Sequence, residues 1–398
     1  MFEQLKSLAP DPILGLMAEF RRDPASSKID LGVGVYKDED GNTPVLDSVR
    51  EAERQVLAEQ RTKVYVGPAG NPGFNVAMTE LVLGADHPAL GAGRVRTVQG
   101  CGGCATLRVG AELIRSARPD AVVYVSDPTW ANHVPLLGNA GLRLEQYPYY
   151  DVASRVVRFE SMLSALELAP PGQVVLLHGC CHNPTGADLT RQQWEATVEV
   201  LQRRELVPFV DIAYQGFAES LDADAYGARL VAREVSEALI AVSCSKNFGL
   251  YRERVGALIT VSASASQADA AASHLARITR GLYSMPPDHG AAIVDRILRS
   301  EALRVQWISE LSAMRERINR LRALLVDSLA LKYPQRDFSH IARQHGMFSF
   351  LGVTPEEVRR LREEFHVYMT DNSRVNIAGV SERNLDYLTT AIAAVVAT

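Results

Sequence analysis

The sequence lacks the features that would place it at a membrane or on a nucleic acid. No apolar run approaches the roughly 20 residues that a membrane-spanning helix needs. The opening residues Met1–Lys6 combine neither a basic stretch nor an apolar one, so no signal peptide is expected there. Lys and Arg total 42 against 47 Asp and Glu, and the net charge of -5 leaves no basic field for a phosphate backbone or an anionic lipid surface. Five cysteines, an odd count in a long chain, argue for reduced thiols in a cytoplasm rather than a disulfide framework. Internal repeats and low-complexity tracts are missing as well. What is left is an ordinary globular composition in 398 residues, enough for two domains.

Through the middle of the chain, short apolar runs alternate with longer amphipathic ones. Residues 121–125 (AVVYV), 174–177 (VVLL), 206–210 (LVPFV) and 239–242 (LIAV) read as buried strands, and 191–202 (RQQWEATVEVLQ) as a helix. This alternation predicts an α/β fold: a large domain with a mainly parallel sheet flanked by helices. From about Ser300 the texture changes to a long charged helical stretch, 301–333, then a strand around 346–350 and helices over 355–365 and 382–396. These predict a smaller α+β domain. No Gly/Ser linker precedes it, so the boundary is expected within a long helix.

In an open parallel sheet, ligands bind beyond the carboxyl ends of the strands. The four predicted strands run into Ser126-Asp127-Pro128-Thr129-Trp130, into His178 through Asn183, into Asp211-Ile212-Ala213-Tyr214, and into Ser243-Cys244-Ser245-Lys246. Packing alone does not explain so many polar groups at one edge. A lysine directly after a buried strand loses solvation and with it part of its basicity. Its neutral amine can attack an aldehyde and hold it as an imine. A pyridinium cofactor used as an electron sink needs a carboxylate at its ring nitrogen, a role that suits Asp211. Tyr214 and Asn183 can bond a phenolic oxygen, and Trp130 can stack on a ring. A glycine-rich turn before a helix, 100–105 before 106–115, offers backbone N–H groups to a phosphate, and Arg254 offers a guanidinium. Taken singly, each of these residues has an ordinary structural explanation; together they point to pyridoxal phosphate.

The segments Ser243–Gly256, His178–Gly186, Asp211–Phe217, Ser373–Asn376, Asp11–Leu16 and Leu31–Asp38 closely resemble the aspartate/aromatic amino acid aminotransferases, class I, of the fold-type I PLP enzymes. The resemblance covers essentially the whole chain in order. It implies that Lys246 is the Schiff-base lysine and proton shuttle. It implies that Asp211 meets the pyridine nitrogen with His133 behind it, and that Tyr214 and Asn183 meet the phenolic oxygen. Trp130 and Ala213 would flank the ring. Ser243, Ser245, Arg254 and the amides of Gly103 and Cys104 would hold the phosphate, with Tyr65 reaching it from a neighbouring subunit. Arg374 would clamp the substrate α-carboxylate with help from the backbone at Gly34, and Arg280 of the other subunit would meet a side-chain carboxylate. A homodimer with shared active sites follows, the arm Met1–Pro10 packing across it. The resemblance also implies that both chain ends build the small domain: an arm and part of that domain in 1–43, the PLP-binding domain in 44–312, the remainder in 313–398.

Two departures bear on function. Cys104 stands where the family usually carries Thr or Ser in the phosphate loop, and a thiol is a weak donor. Cys101 and Cys104 also spell C-x-x-C, to which Cys180-Cys181 could be added as zinc ligands; metal ligation would compete with the phosphate, and no metal is expected. Val35, Lys37 and Thr43 look aspartate-like, whereas Val64 and Met285 make the pocket more apolar. The leading expectation is transamination between aspartate and 2-oxoglutarate by a ping-pong mechanism. The alternatives are an aromatic amino acid aminotransferase, a β-decarboxylase or lyase on the same fold, and a non-catalytic regulator.

Overall fold

A computed structural model describes residues 1–8 and 12–397. Seven strands form the central sheet, in the order Val95–Cys101, Val255–Val261, Ala238–Ser243, Val207–Ile212, Val174–His178, Val122–Asp127, Arg143–Pro148. All pairings are parallel except those of Val255–Val261, which runs antiparallel to both its neighbours. The four strands read from the sequence are therefore adjacent and co-directional, and their carboxyl ends share one edge.

Each inner strand is buried on both faces, which is why it reads as a continuous apolar run. Leu176, Phe209, Ala241 and Leu258 join the core beneath the helices Gly102–Ala117 and Ala265–Tyr283. Val175, Val210, Ile240 and Ile259 face the opposite way, into the larger core that also takes Phe74, Leu230 and Val294 of the helices Pro72–Leu83, Tyr226–Glu234 and Asp288–Arg299.

Glu301–Lys332 is a single helix of 32 residues, about 48 Å long at 1.5 Å per residue. Its buried stripe, Leu303, Trp307, Leu311, Met314, Ile318, Leu321, Leu325 and Leu329, follows the three- and four-residue spacing of one helix face. Beyond it lie Pro355–Phe365, opened by a Thr354–Glu357 capping box, and Glu382–Val396, opened by a Ser381–Asn384 capping box. Ile29–Asp30 pairs in parallel with Val367–Tyr368, and Phe348–Phe350 pairs antiparallel with Arg374–Asn376. Both chain ends thus build the smaller α+β layer. No helix among the described residues is long and apolar enough to cross a membrane.

Candidate active site

A cavity of about 260 Å³ opens at the carboxyl edge of the sheet. The ends of three strands reach it with Asp211, with Ser243, Ser245 and Lys246, and with His178. Ala213, Tyr214, Trp130 and Asn183 add to the wall from the loops that follow strands. The glycine-rich turn supplies Gly103 and Cys104, and the smaller layer supplies Arg374, Phe348 and Gly34.

The turn differs from its sequence reading in one respect. The helix begins at Gly102 rather than Thr106, so Gly103 and Cys104 occupy its first turn, where backbone N–H groups have no intrahelical acceptor. Gly102 lies at φ 76°, and a Cβ there would come within 2.4 Å of the Arg254 guanidinium. Only glycine lets that cation lie against the helix N-terminus. Arg254 itself adopts φ 55°, a left-handed conformation disfavoured by roughly 1–2 kcal/mol outside glycine. Its Nη1 donates to the Tyr251 carbonyl at 3.0 Å and to Ser245 Oγ at 3.5 Å. Amides, two hydroxyls and a guanidinium thus converge without a carboxylate, which is the donor set of a phosphate dianion.

The rest of the cavity carries the opposite demand. Asp211 is buried, and its Oδ2 accepts a hydrogen bond from His133 Nε2 at 3.0 Å. His133 Nδ1 meets Thr129 Oγ1 at 2.8 Å, and that hydroxyl meets His178 Nε2 at 3.2 Å. Burial pushes the Asp211 carboxyl up, but the His133 bond and the positive charge of its neighbours outweigh it, and the net shift is downward. Burial also lowers the Lys246 ammonium below its ordinary range, Arg254 adding to the shift while Asp211 and Cys104 oppose it. The Lys246 Nζ stands 5.0 Å from the centre of the Tyr214 ring. Burial raises the Tyr214 phenol, so it remains protonated and able to donate.

Arg374 is buried with its guanidinium 4.3 Å from the Phe348 ring centre; Nη2 donates to the Gly32 carbonyl at 2.8 Å and Nη1 to Asn183 Oδ1 at 3.4 Å. A Cβ on Gly34 would come within 2.8 Å of Phe348, so that glycine keeps the wall open.

The chain matches the family model for aminotransferase class I and II over residues 26–392. The chain belongs to this aminotransferase family. It is 47% identical over 392 residues to an aromatic-amino-acid aminotransferase of Paracoccus denitrificans, covering 98% of this chain and 99% of that one. With an aspartate aminotransferase of Escherichia coli it shares 46% identity over 395 residues, 99% of this chain and 100% of that one. The structure superposes with a TM-score of 0.97 on an aromatic-amino-acid aminotransferase from Burkholderia pseudomallei covalently bound to pyridoxal phosphate, at 45% identity and 99% coverage of both chains. This aminotransferase is a pyridoxal-phosphate-dependent transaminase of the aspartate/aromatic type. The residues present fit the cofactor: an anion cradle, a carboxylate held ionised and an amine of lowered basicity line one cavity.

Two residues expected at the site lie outside the cavity. Tyr65 is 84% exposed, and Arg280 is exposed with its guanidinium on the Ser284 hydroxyl of its own helix end. Both were expected to serve a neighbouring subunit, and neither lines the cavity of its own chain. The arm Met1–Pro10 is exposed over residues 1–8, while 9–11 fall outside the described residues. Lys37 and Thr43 also miss the cavity; they bond Asp30 and the Tyr36 carbonyl. Asn132 donates to Cys104 Sγ at 3.6 Å, a contact the sequence did not disclose. Cys180 and Cys181 gather with Asp224, not with Cys101 and Cys104. Asp224 spends its oxygens on the backbone N–H groups of Gly216, Ala218, Glu219 and Ser220, so it serves as a loop cap. The wall residues Ile13, Leu107, Phe348 and His178 were not singled out from sequence. His178 could have been found: it ends a strand, and the register sets it beside Asp211.

Proposed function

We propose that the protein exchanges amino groups between aspartate and 2-oxoglutarate, with Lys246, Asp211 and Tyr214 as its catalytic residues. The observation that carries this reading is the shared cavity of Lys246, Asp211 and Arg374. The bound cofactor supplies a ring that accepts the electron pair left on the substrate carbon and carries the amino group between the two substrates. Lys246 would hold the cofactor through its Nζ, and that amine, of lowered basicity, would take the proton from the substrate Cα. Asp211, kept ionised by His133, would hold positive charge on the ring nitrogen. Tyr214 and Asn183 would donate to the phenolic oxygen, Trp130 and Ala213 would confine the ring, and Ser243, Ser245, Arg254 and the Gly103 and Cys104 amides would hold the phosphate. Arg374 binds the α-carboxylate beside Gly34.

The functional unit in this reading is a homodimer. Tyr65 and Arg280 are exposed and do not line the cavity of their own chain, and Val64, Val66 and Leu282 beside them are large exposed apolar side chains that a partner would cover. The large domain spans 44–312 and the small one 1–43 with 313–398, the second boundary inside the Glu301–Lys332 helix. Free thiols throughout the five cysteines accord with the cytoplasm.

Acceptance of aromatic amino acids is the second reading. The apolar wall of Ile13, Leu107 and Phe348 favours it, as do relatives that carry that name. A panel of amino donors against 2-oxoglutarate separates the two. Arg280→Ala should lower kcat/KM for aspartate by roughly ten- to a hundredfold, the worth of a charged hydrogen bond, and spare phenylalanine. Equal losses for both donors would remove Arg280 from side-chain recognition.

A further inference from the structure

Arg322 lies in the middle of the Glu301–Lys332 helix and is 1% exposed. No carboxylate among the described residues comes within ion-pairing distance of it. Its acceptors are neutral: Nη1 donates to the Ile341 carbonyl at 2.9 Å and Ser349 Oγ at 2.7 Å, while Nη2 donates to the carbonyls of His345, Gly346 and Phe348 at 3.2, 2.7 and 2.6 Å. Burial lowers its basicity to about 10, and it remains a cation at any working pH. Burying a charge without a counter-ion costs several kcal/mol unless hydrogen bonds compensate. An apolar side chain in its place would leave these buried acceptors without a donor, so the fork is what holds them. Its five acceptors belong to one segment, 341–349, and that segment leads into the clamp for the substrate carboxylate.

The bracket reaches Arg374 by two routes. Phe348, whose carbonyl Arg322 holds, presents its ring to the Arg374 guanidinium at 4.3 Å. His345, also held, donates its N–H to the Gly186 carbonyl at 2.8 Å, and a Cβ on Gly186 would come within 2.3 Å of the Phe348 carbonyl oxygen. That contact fixes the loop carrying Asn183, whose Oδ1 accepts from Arg374. We propose that Arg322 is a positioning residue: its planar fork sets the 341–349 segment, and through Phe348 and the Asn183 loop it sets the orientation of Arg374 toward substrate carboxylates. Lysine has one donor point in place of a fork and does not span these acceptors. The inference rests on Arg374 binding carboxylate substrates.

The test compares wild-type holoenzyme with Arg322→Lys, Arg374→Lys and the double variant. Arg322→Lys raises KM for both the amino and the oxo substrate about tenfold and changes kcat less, because a misaimed clamp loses binding made equally in ground and transition states. The spectrum of the lysine-bound cofactor stays as in wild type, since Lys246 and Asp211 are not touched. In the Arg374→Lys background the same change costs little more, because the two residues act in series. Unchanged KM in a variant of lowered Tm, or full additivity with Arg374→Lys, overturns the proposal. If Arg322→Lys does not fold, Ser349→Ala removes one acceptor of the same fork and gives a smaller KM rise of about two- to threefold; no rise there overturns it equally. Should wild type itself bind no carboxylate substrate, the reading of the site fails instead, and the two failures are distinguishable.

Discussion

Asp211 is a carboxylate in a place that disfavours charge, and its ionisation depends on what lies behind it. Burial alone would raise its pKa; the His133 hydrogen bond and positive charge nearby reverse the sign. His178, pushed down to about 3 by burial and by the proximity of His133, is neutral at working pH and closes the chain of contacts through Thr129. The direction for a variant follows. In His133→Phe the compensating bond is gone and burial dominates, so the Asp211 carboxyl rises and is protonated at a higher pH than in wild type. The acid limb of the kcat/KM profile should move toward neutral pH. An acid limb that stays where wild type has it would show that His133 does not hold the charge on Asp211.

At the scale of elements, the readable parts were those in which one rule acts alone. The strands over 174–178, 207–212 and 238–243 are buried on both faces, so their apolar runs are uninterrupted and their polar ends stand out. The helices Pro355–Phe365 and Glu382–Val396 carry their own capping boxes and fall where periodicity placed them. Arg143–Pro148 was missed because it is the sheet edge, with Arg143, Glu145 and Gln146 exposed and no apolar run to see. Val95–Cys101 was missed because polar Arg96, Thr97 and Gln99 interrupt it, although Gln99 is buried by bonding the Asn71 N–H and the Pro287 carbonyl. Within the central sheet Val255–Val261, which runs against both its neighbours, is as apolar as Ala238–Ser243 beside it, and pairing direction leaves no mark in a local pattern. At the site, strand-end residues were legible because a fold rule collects them at one edge. Phe348 and Ile13 were not, since only tertiary packing brings positions 348 and 13 to a cavity centred on strands 207–243.

For the whole molecule, one chain presents a cavity whose proposed recognition of a side-chain carboxylate depends on a residue it holds on its surface. If each site borrows Arg280 from a partner, two defective chains can repair one another. A co-expressed equimolar mixture of Lys246→Ala and Arg280→Ala forms hybrids in half of its dimers, each with one intact site. Aspartate transamination should return to about a quarter of wild type, as the symmetry of a two-fold dimer requires. Activity no greater than the mean of the two separate variants would mean that sites are not shared. The proposed covalent anchor is read directly by borohydride reduction of the holoenzyme followed by peptide mass mapping. The account predicts that the cofactor's added mass resides on the peptide carrying Lys246, in stoichiometric amount and absent from Lys246→Ala. Label on another lysine, or none on a fully loaded protein, would contradict it.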